Sequence, residues 1–311
     1  MHFTRLAGLA LLAALATPLV AQQPPAFRDQ RPFQSGIEIT SITATVNDAA
    51  GHLVTNLPRE AFEVYEDGEA QAVTQFTRER VPIGLGVLLD ISDSMYGKRM
   101  DDARAAVNRF LFGLLDASDE FFLVAFNHKA RPQTGWTRSQ ADVQHALAAL
   151  VPSGGTAIYD AIVSSMPLVE HRNRARAALL VISDGADTAS TATLKDIRVA
   201  LLRTDAFVYA IAIDSPDPQP INTRVNAQAL REITAESGGR TEIVHNSSDL
   251  ADATARIAEE LNSQYVLGYT STHGADGQFH SIRVKVRAES KNGEYRVRAR
   301  NGYIATPTYR R

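Results

Sequence analysis

Cysteine is absent from all 311 residues, which excludes a disulfide framework and attachment through a lipid-modified cysteine. Tryptophan occurs once, as Trp136, and packing beside a short edge hairpin is its expected role rather than ligand binding. Neither sign of charge is in excess. Lys and Arg number 32 against 35 Asp and Glu, a formal net charge of −3, so there is no electrostatic case for a nucleic-acid partner. Downstream of the N-terminus no apolar run approaches the ~18 residues of a membrane-spanning helix. Common catalytic motifs are missing too: there is no Gly-x-Ser-x-Gly elbow, no HExxH, and no GxxxxGK followed by Ser or Thr. Gly84-x-Gly86 lies inside an apolar run rather than after it, which is the wrong place to cradle a phosphate. His128, His171 and His245 lack metal-like spacing and are assigned to surface or packing. The chain is therefore expected not to be an enzyme.

What remains is ordinary globular composition, 44% hydrophobic and 22% charged, at a length that fits one sizeable domain plus a smaller module. Residues 1–21 carry Arg5, an apolar run over 6–20 and small residues before Gln22. That is the layout of a secretory signal peptide, cleaved after Ala21, and it implies export to a periplasm or beyond the cell. Residues 22–35, rich in Pro, Gln and Arg, read as a linker. Over 36–80 strand patterns alternate with turn residues, among them Asp67-Gly68, and define an N-terminal β module. Over 81–263 strand patterns at 83–89, 120–126, 177–182, 207–213 and 241–244 alternate with helical ones at 98–115, 139–150, 159–170, 193–202, 226–237 and 250–262. Such alternation predicts an α/β domain, a doubly wound and mostly parallel sheet with helices on both faces. Over 264–305 strands return at 265–269, 279–287 and 294–299, with turn signals at His273-Gly274, Asp276-Gly277 and Asn292-Gly293. Neither β-rich flank can bury a core alone, so a composite β-sandwich-like module of N- and C-terminal strands is expected.

The stretch 83–95 organises the rest. Its apolar run stops at Asp90, and Asp90, Ser92 and Ser94 follow at alternate positions, on the loop at the carboxyl end of a central strand, where open α/β sheets place their ligands. Two further loops approach the same edge: Ser153-Gly154-Gly155-Thr156, and Ser183-Asp184-Gly185 after the strand at 177–182. Hydroxyls with one or two carboxylates form a hard-oxygen set suited to Mg²⁺, which keeps several of its waters. Taken singly, each of these residues could equally cap a helix. Asp93 is read as solvated surface, and Asp160 and Asp187 as turn and helix-start carboxylates. Arg283, Lys285 and Arg287, like Arg296, Arg298 and Arg300, alternate along strands and read as solvated faces that discourage edge pairing.

These loops together, in order and spacing over roughly 81–262, resemble the von Willebrand factor type A domain, a Rossmann-like fold, and its metal-ion-dependent adhesion site. Asp90, Ser92, Ser94, Thr156 and Asp184 each match a motif position. The phrases LPREAFEVYEDGEAQAVTQF and YRVRARNGYIA are similar to those of exported bacterial proteins in which such a domain sits between β segments. The resemblance implies Mg²⁺, with Mn²⁺ or Ca²⁺ as alternatives, held by the two Ser and the Thr directly and by the two Asp directly or through water. It also implies a protein partner that supplies a Glu or Asp carboxylate, with no general base.

Three functions compete. The first is an exported, non-catalytic, metal-dependent binding module. The second is a structural or assembly spacer of a cell-envelope complex. The third is a hydrolase on the same scaffold, against which the missing motifs argue.

Overall fold

The computed structural model describes residues 39–184, 186–214, 226–287 and 294–305. The expected signal peptide and linker, Gly185, and the Asn292-Gly293 turn lie outside the described residues. In chain order the strands before the first helix are β1 (Ile39–Asn47), β2 (Phe62–Glu66), β3 (Glu69–Gln71), β4 (Val73–Thr77) and β5 (Ile83–Asp90). Then come α1 (Lys98–Arg109), β6 (Glu120–Phe126), β7 (Ala130–Pro132), α2 (Gln140–Ala149), α3 (Ile158–Glu170), β8 (Arg176–Ser183), α4 (Leu194–Leu202), β9 (Phe207–Ile213), α5 (Ala227–Ser237), β10 (Thr241–Val244) and α6 (Ser247–Asn262). The chain closes with β11 (Tyr265–Thr270), β12 (Phe279–Val286), β13 (Arg296–Ala299) and β14 (Gly302–Ile304).

The large sheet has the order β10-β9-β8-β5-β6-β7, parallel except where β7 pairs antiparallel with β6 at the edge. All eight residues of β5 and all eight of β8 are buried. Helices cover both faces of such strands, and their continuous apolar sequence reflects it. One face packs on α1, α2 and α6 through Met100, Val107, Val143, Leu147, Ile257 and Leu261. The other packs on α3, α4 and α5 through Ile158, Ile162, Ile197, Leu201, Leu230 and Ile233. This is the doubly wound architecture that the alternation predicts.

The flanking strands form two more sheets, ordered β13-β1-β11-β4 and β14-β12-β2-β3. Strands from the two ends of the chain interleave: β1 lies antiparallel between β11 and β13, and β2 between β12 and β3. Between the sheets sits a separate core of Ile42, Ala44, Val46, Phe62, Val64, Tyr265, Leu267, Tyr269 and Ile282.

A buried polar knot joins α6 to these strands. Glu260, 1% exposed, accepts hydrogen bonds from the Tyr209 hydroxyl at 2.8 Å and the Thr45 hydroxyl at 3.3 Å. It also pairs with Arg298 at 2.6 Å. Arg298 is thus not part of a solvated face. Arg283, Lys285 and Arg287 are exposed as expected.

Three local departures have physical causes. The helix expected over 98–115 widens into a π turn at Phe110–Leu114, which turns Phe110 and Leu111 into the core where an even α-helical period would spread the run 110–112 around the axis. α6 begins a turn before residue 250, because Asn246 caps it by accepting from the Asp249 N–H at 3.0 Å. β14 is three residues long and exists through its pairing with β12.

Candidate functional site

β5 delivers Asp90 to the carboxyl edge of the large sheet, and the Ile91 N–H still bonds to the Phe126 carbonyl at 2.7 Å. The chain then leaves the sheet through a short 3₁₀ turn at Asp93–Met95 before α1. Asp90 is fully buried. Its Oδ1 accepts from the Ser92 N–H at 2.7 Å and its Oδ2 from the Ser183 hydroxyl at 2.5 Å. The Ser92 and Ser94 hydroxyls lie 3.0 Å apart, and the Ser94 hydroxyl donates to Asp184 Oδ1 at 2.6 Å. Asp184, 1% exposed, directly follows β8. Four of the five sequence-derived residues therefore sit in one hydrogen-bonded cluster that links the ends of two neighbouring strands.

Thr156 reaches the cluster differently. Its loop is tied to the first loop by bonds from the Asp93 N–H to the Gly154 carbonyl at 2.9 Å and from the Ser153 N–H to the Ile91 carbonyl at 2.8 Å. Gly154 makes this approach possible: its φ is +79°, and a Cβ there would stand 2.8 Å from His128 Nδ1. Thr156 itself is 5% exposed. Its carbonyl accepts from the Thr188 and Ala189 N–H groups at 2.8 and 3.0 Å, which pins it to the loop after Asp184. Among the described residues its hydroxyl makes no hydrogen bond to the other four; its backbone places it here, the N–H donating to the Thr188 hydroxyl at 3.1 Å.

Two carboxylates in a buried pocket are electrostatically costly. Burial pushes the Asp90 carboxyl up to about 7, against hydrogen bonds from Ser183 and Ser92 that pull it down, and the neighbouring charge of Asp184 adds to the rise. Burial also raises Asp184, opposed by the Ser94 hydroxyl and by Arg99. The Arg99 guanidinium, from the first turn of α1, lies 3.2 Å from Asp184 Oδ2 and donates to the Ser94 carbonyl at 2.7 Å.

Residues 85–186 match the family model for the von Willebrand factor type A domain. They form a type A domain. Inter-alpha-trypsin inhibitor heavy chain H2 of Sus scrofa is 22% identical over 198 residues, covering 59% of this chain and 20% of that relative. Heavy chain H4 of Sus scrofa is 26% identical over 186 residues, covering 55% of this chain and 19% of that relative. The chain thus spans about a fifth of the length of the curated relatives it matches. Among solved structures, the von Willebrand factor type A protein from Catenulispora acidiphila is similar with a TM-score of 0.50 and 14% identity, covering 76% of this chain and 71% of that one. This last likeness is one of fold.

Two residues of the type A domain's cluster escaped sequence reasoning. Ser183 reads as the first residue of the loop after the strand at 177–182, but β8 ends on it and its hydroxyl holds Asp90. Arg99 carried one readable signal: a cation in the first turn of a helix opposes the helix dipole and calls for a local anion. The remaining candidates fall where the sequence puts them. Asp93 is exposed, and Asp187 accepts from the Tyr159 N–H at the start of α3. Asp160 accepts from the Thr191 and Ala192 N–H groups. Trp136 donates its indole N–H to the Leu168 carbonyl at 2.9 Å and meets Phe122 edge-on.

Proposed function

We propose that the chain is an exported, non-catalytic binding protein that holds a divalent cation, Mg²⁺ in the first instance, at Asp90, Ser92, Ser94, Thr156 and Asp184. Through that cation it takes an acidic side chain of a protein partner. The observation that carries this reading is the bonded series Ser92, Ser94, Asp184 with Asp90 behind it, at the carboxyl edge of the central strands. The donor chemistry fits the ion. Three hydroxyls and two carboxylates are all hard oxygens, and Asp90 and Asp184 are both raised by burial, a cost that a divalent charge would relieve. With so few formal negative charges on the protein side, the bound ion supplies an electrophilic position that favours a carboxylate from outside.

The protein's own residues prepare the site. Ser183 and the Ser92 N–H orient Asp90, Arg99 holds Asp184, and the Gly154 contact keeps the Thr156 loop in place. Tyr96 and Val151, 76% and 69% exposed, stand on the first two site loops and offer apolar surface to a protein partner. Among the described residues no helix is long and apolar enough to cross a membrane. In the same reading the chain divides into a signal peptide at 1–21, a linker at 22–35, flanking β segments at 36–80 and 264–305, and the type A domain at 81–263.

A specific observation favours the spacer as a second reading: the Arg99 guanidinium supplies Asp184 with a positive charge from the protein itself. Calorimetric titration with Mg²⁺ and Mn²⁺ separates the two, combined with pull-down from an envelope fraction with and without EDTA. The adhesive reading expects Ser92→Ala and Ser94→Ala each to weaken the ion at least about tenfold and to lose the partner with it. Undiminished metal affinity in both variants overturns it. Partner capture that is indifferent to EDTA supports the spacer.

A further inference from the structure

A second group of metal-capable side chains lies in the flanking sheets, on different elements from the type A cluster. Asp67 sits in the turn between β2 and β3, His273 in the connection between β11 and β12, and His280 on β12. One ligand atom from each lies within 4.8 Å of the other two. Asp67 Oδ2 is 2.7 Å from His280 Nδ1 and 3.5 Å from His273 Nε2. In a tetrahedral site with bonds of about 2.0–2.1 Å, ligand atoms stand about 3.3 Å apart. A modest opening of the Asp67–His280 pair reaches that spacing.

The arrangement is built rather than accidental. Asp67 is the one non-glycine residue with positive φ, +49°, among the described residues. Its Oδ1 is engaged by the Ser281 N–H at 2.7 Å and the Ser281 hydroxyl at 3.1 Å, which leaves Oδ2 aimed at the two imidazoles. The two rings stack with centroids 4.0 Å apart and planes 22° from parallel; an imidazole binds a metal in its own ring plane, so sharing an ion requires the exposed His273 ring to swing out of the stack. His280 is 5% exposed, and its far nitrogen faces Asp276 at 3.2 Å. A carboxylate behind a histidine is the arrangement that orients metal-ligating imidazoles. Both nitrogens of His280 face carboxylates, so a cation at Nδ1 would take the place of a proton shared with Asp67.

We propose that Asp67, His273 and His280 form a second metal site, selective for a borderline first-row cation such as Zn²⁺, with Asp276 as the positioning residue. Two imidazole nitrogens and one carboxylate oxygen favour that class over Mg²⁺, which prefers oxygen throughout. The three protein ligands leave a fourth position open on the side where Asp67 and His273 are exposed. The ion staples the β2–β3 turn to the β11–β12 connection, fastening the N-terminal strands to the C-terminal ones.

The test uses full-length untagged protein dialysed against EDTA, titrated with Zn²⁺ and with Co²⁺ as a spectroscopic probe, in excess Mg²⁺. One equivalent is expected to bind with nitrogen–oxygen ligation and to raise the unfolding temperature. His273→Ala, at an exposed position, is expected to weaken Zn²⁺ at least about tenfold, and Asp276→Asn by about 10–100-fold. Ser92→Ala with Ser94→Ala is expected to leave this equivalent unchanged. Zn²⁺ affinity unaltered in His273→Ala overturns the proposal. So does a Zn²⁺ equivalent that disappears in the Ser92→Ala, Ser94→Ala double variant, or no binding at all.

Discussion

Replacing Asp90 with Asn should stabilise the protein when no divalent ion is bound. Asn keeps the shape and both hydrogen bonds: its Oδ1 can accept from the Ser92 N–H, and its amide can donate to the Ser183 hydroxyl, where Asp90 now accepts. What it removes is a buried charge. The Asp90 carboxyl moves from 3.8 to about 7 on folding, chiefly through burial. Below pH 3.8 it is protonated in folded and unfolded chains alike. Between 3.8 and about 7 only the folded chain keeps the proton, so stability falls as pH rises. Above that range the loss is complete and on the order of 4 kcal/mol, at about 1.4 kcal/mol per tenfold change in proton affinity. At about 2 °C per kcal/mol for a chain of this size, Asp90→Asn should melt about 8 °C above the parent at about pH 8 in EDTA. The gap should close toward about pH 4. Urea unfolding across that pH range measures it. A variant less stable than the parent at the alkaline end, or a gap that ignores pH, would refute the reasoning.

Two further perturbations test the packing. Glu260→Ala strips Arg298 of its buried counter-ion and Tyr209 of its acceptor, and a loss of about 3–5 kcal/mol in urea unfolding is expected; a loss below about 1 kcal/mol would mean that the knot contributes little. Gly86→Ala would place a Cβ 2.2 Å from Phe122 Cζ and 2.5 Å from Leu179 Cδ2, inside the large sheet's face. A shift of about 1–3 kcal/mol from overpacking is expected, read as a lower urea midpoint at unchanged slope.

The large sheet was legible because its signals are local and agree. β6, β9 and β10 run over the residues their apolar stretches mark out. Helix starts carry their caps in the sequence: Ser139 accepts from the Asp142 N–H, and Thr193 and Asp196 form a capping box. The convergence of Asp90, Ser92, Ser94 and Asp184 was legible for a related reason, since parallel neighbours end at the same edge and bring their following loops together. Arg99 was hidden because a helical period says which face a residue takes but not how far a long side chain reaches back. Asp67, His273 and His280 were hidden more thoroughly. They come from a turn, an irregular connection and a strand, brought together by pairings such as Glu66 with Ile282, which no local pattern announces.

The interleaving of β1 and β2 with strands from the far end of the chain has a consequence for synthesis. Without β11 and β13, β1 and β4 have no sheet neighbours, and without β12, β2 keeps only β3. The span from Thr77 to Tyr265 takes about 10–40 s to translate at about 5–20 residues per second. For that time the first strands wait as open edges, able to template onto a neighbouring nascent chain. Ribosome-arrested chains ending before residue 265 should accordingly expose the β1–β4 segment to protease while the completed protein shields it.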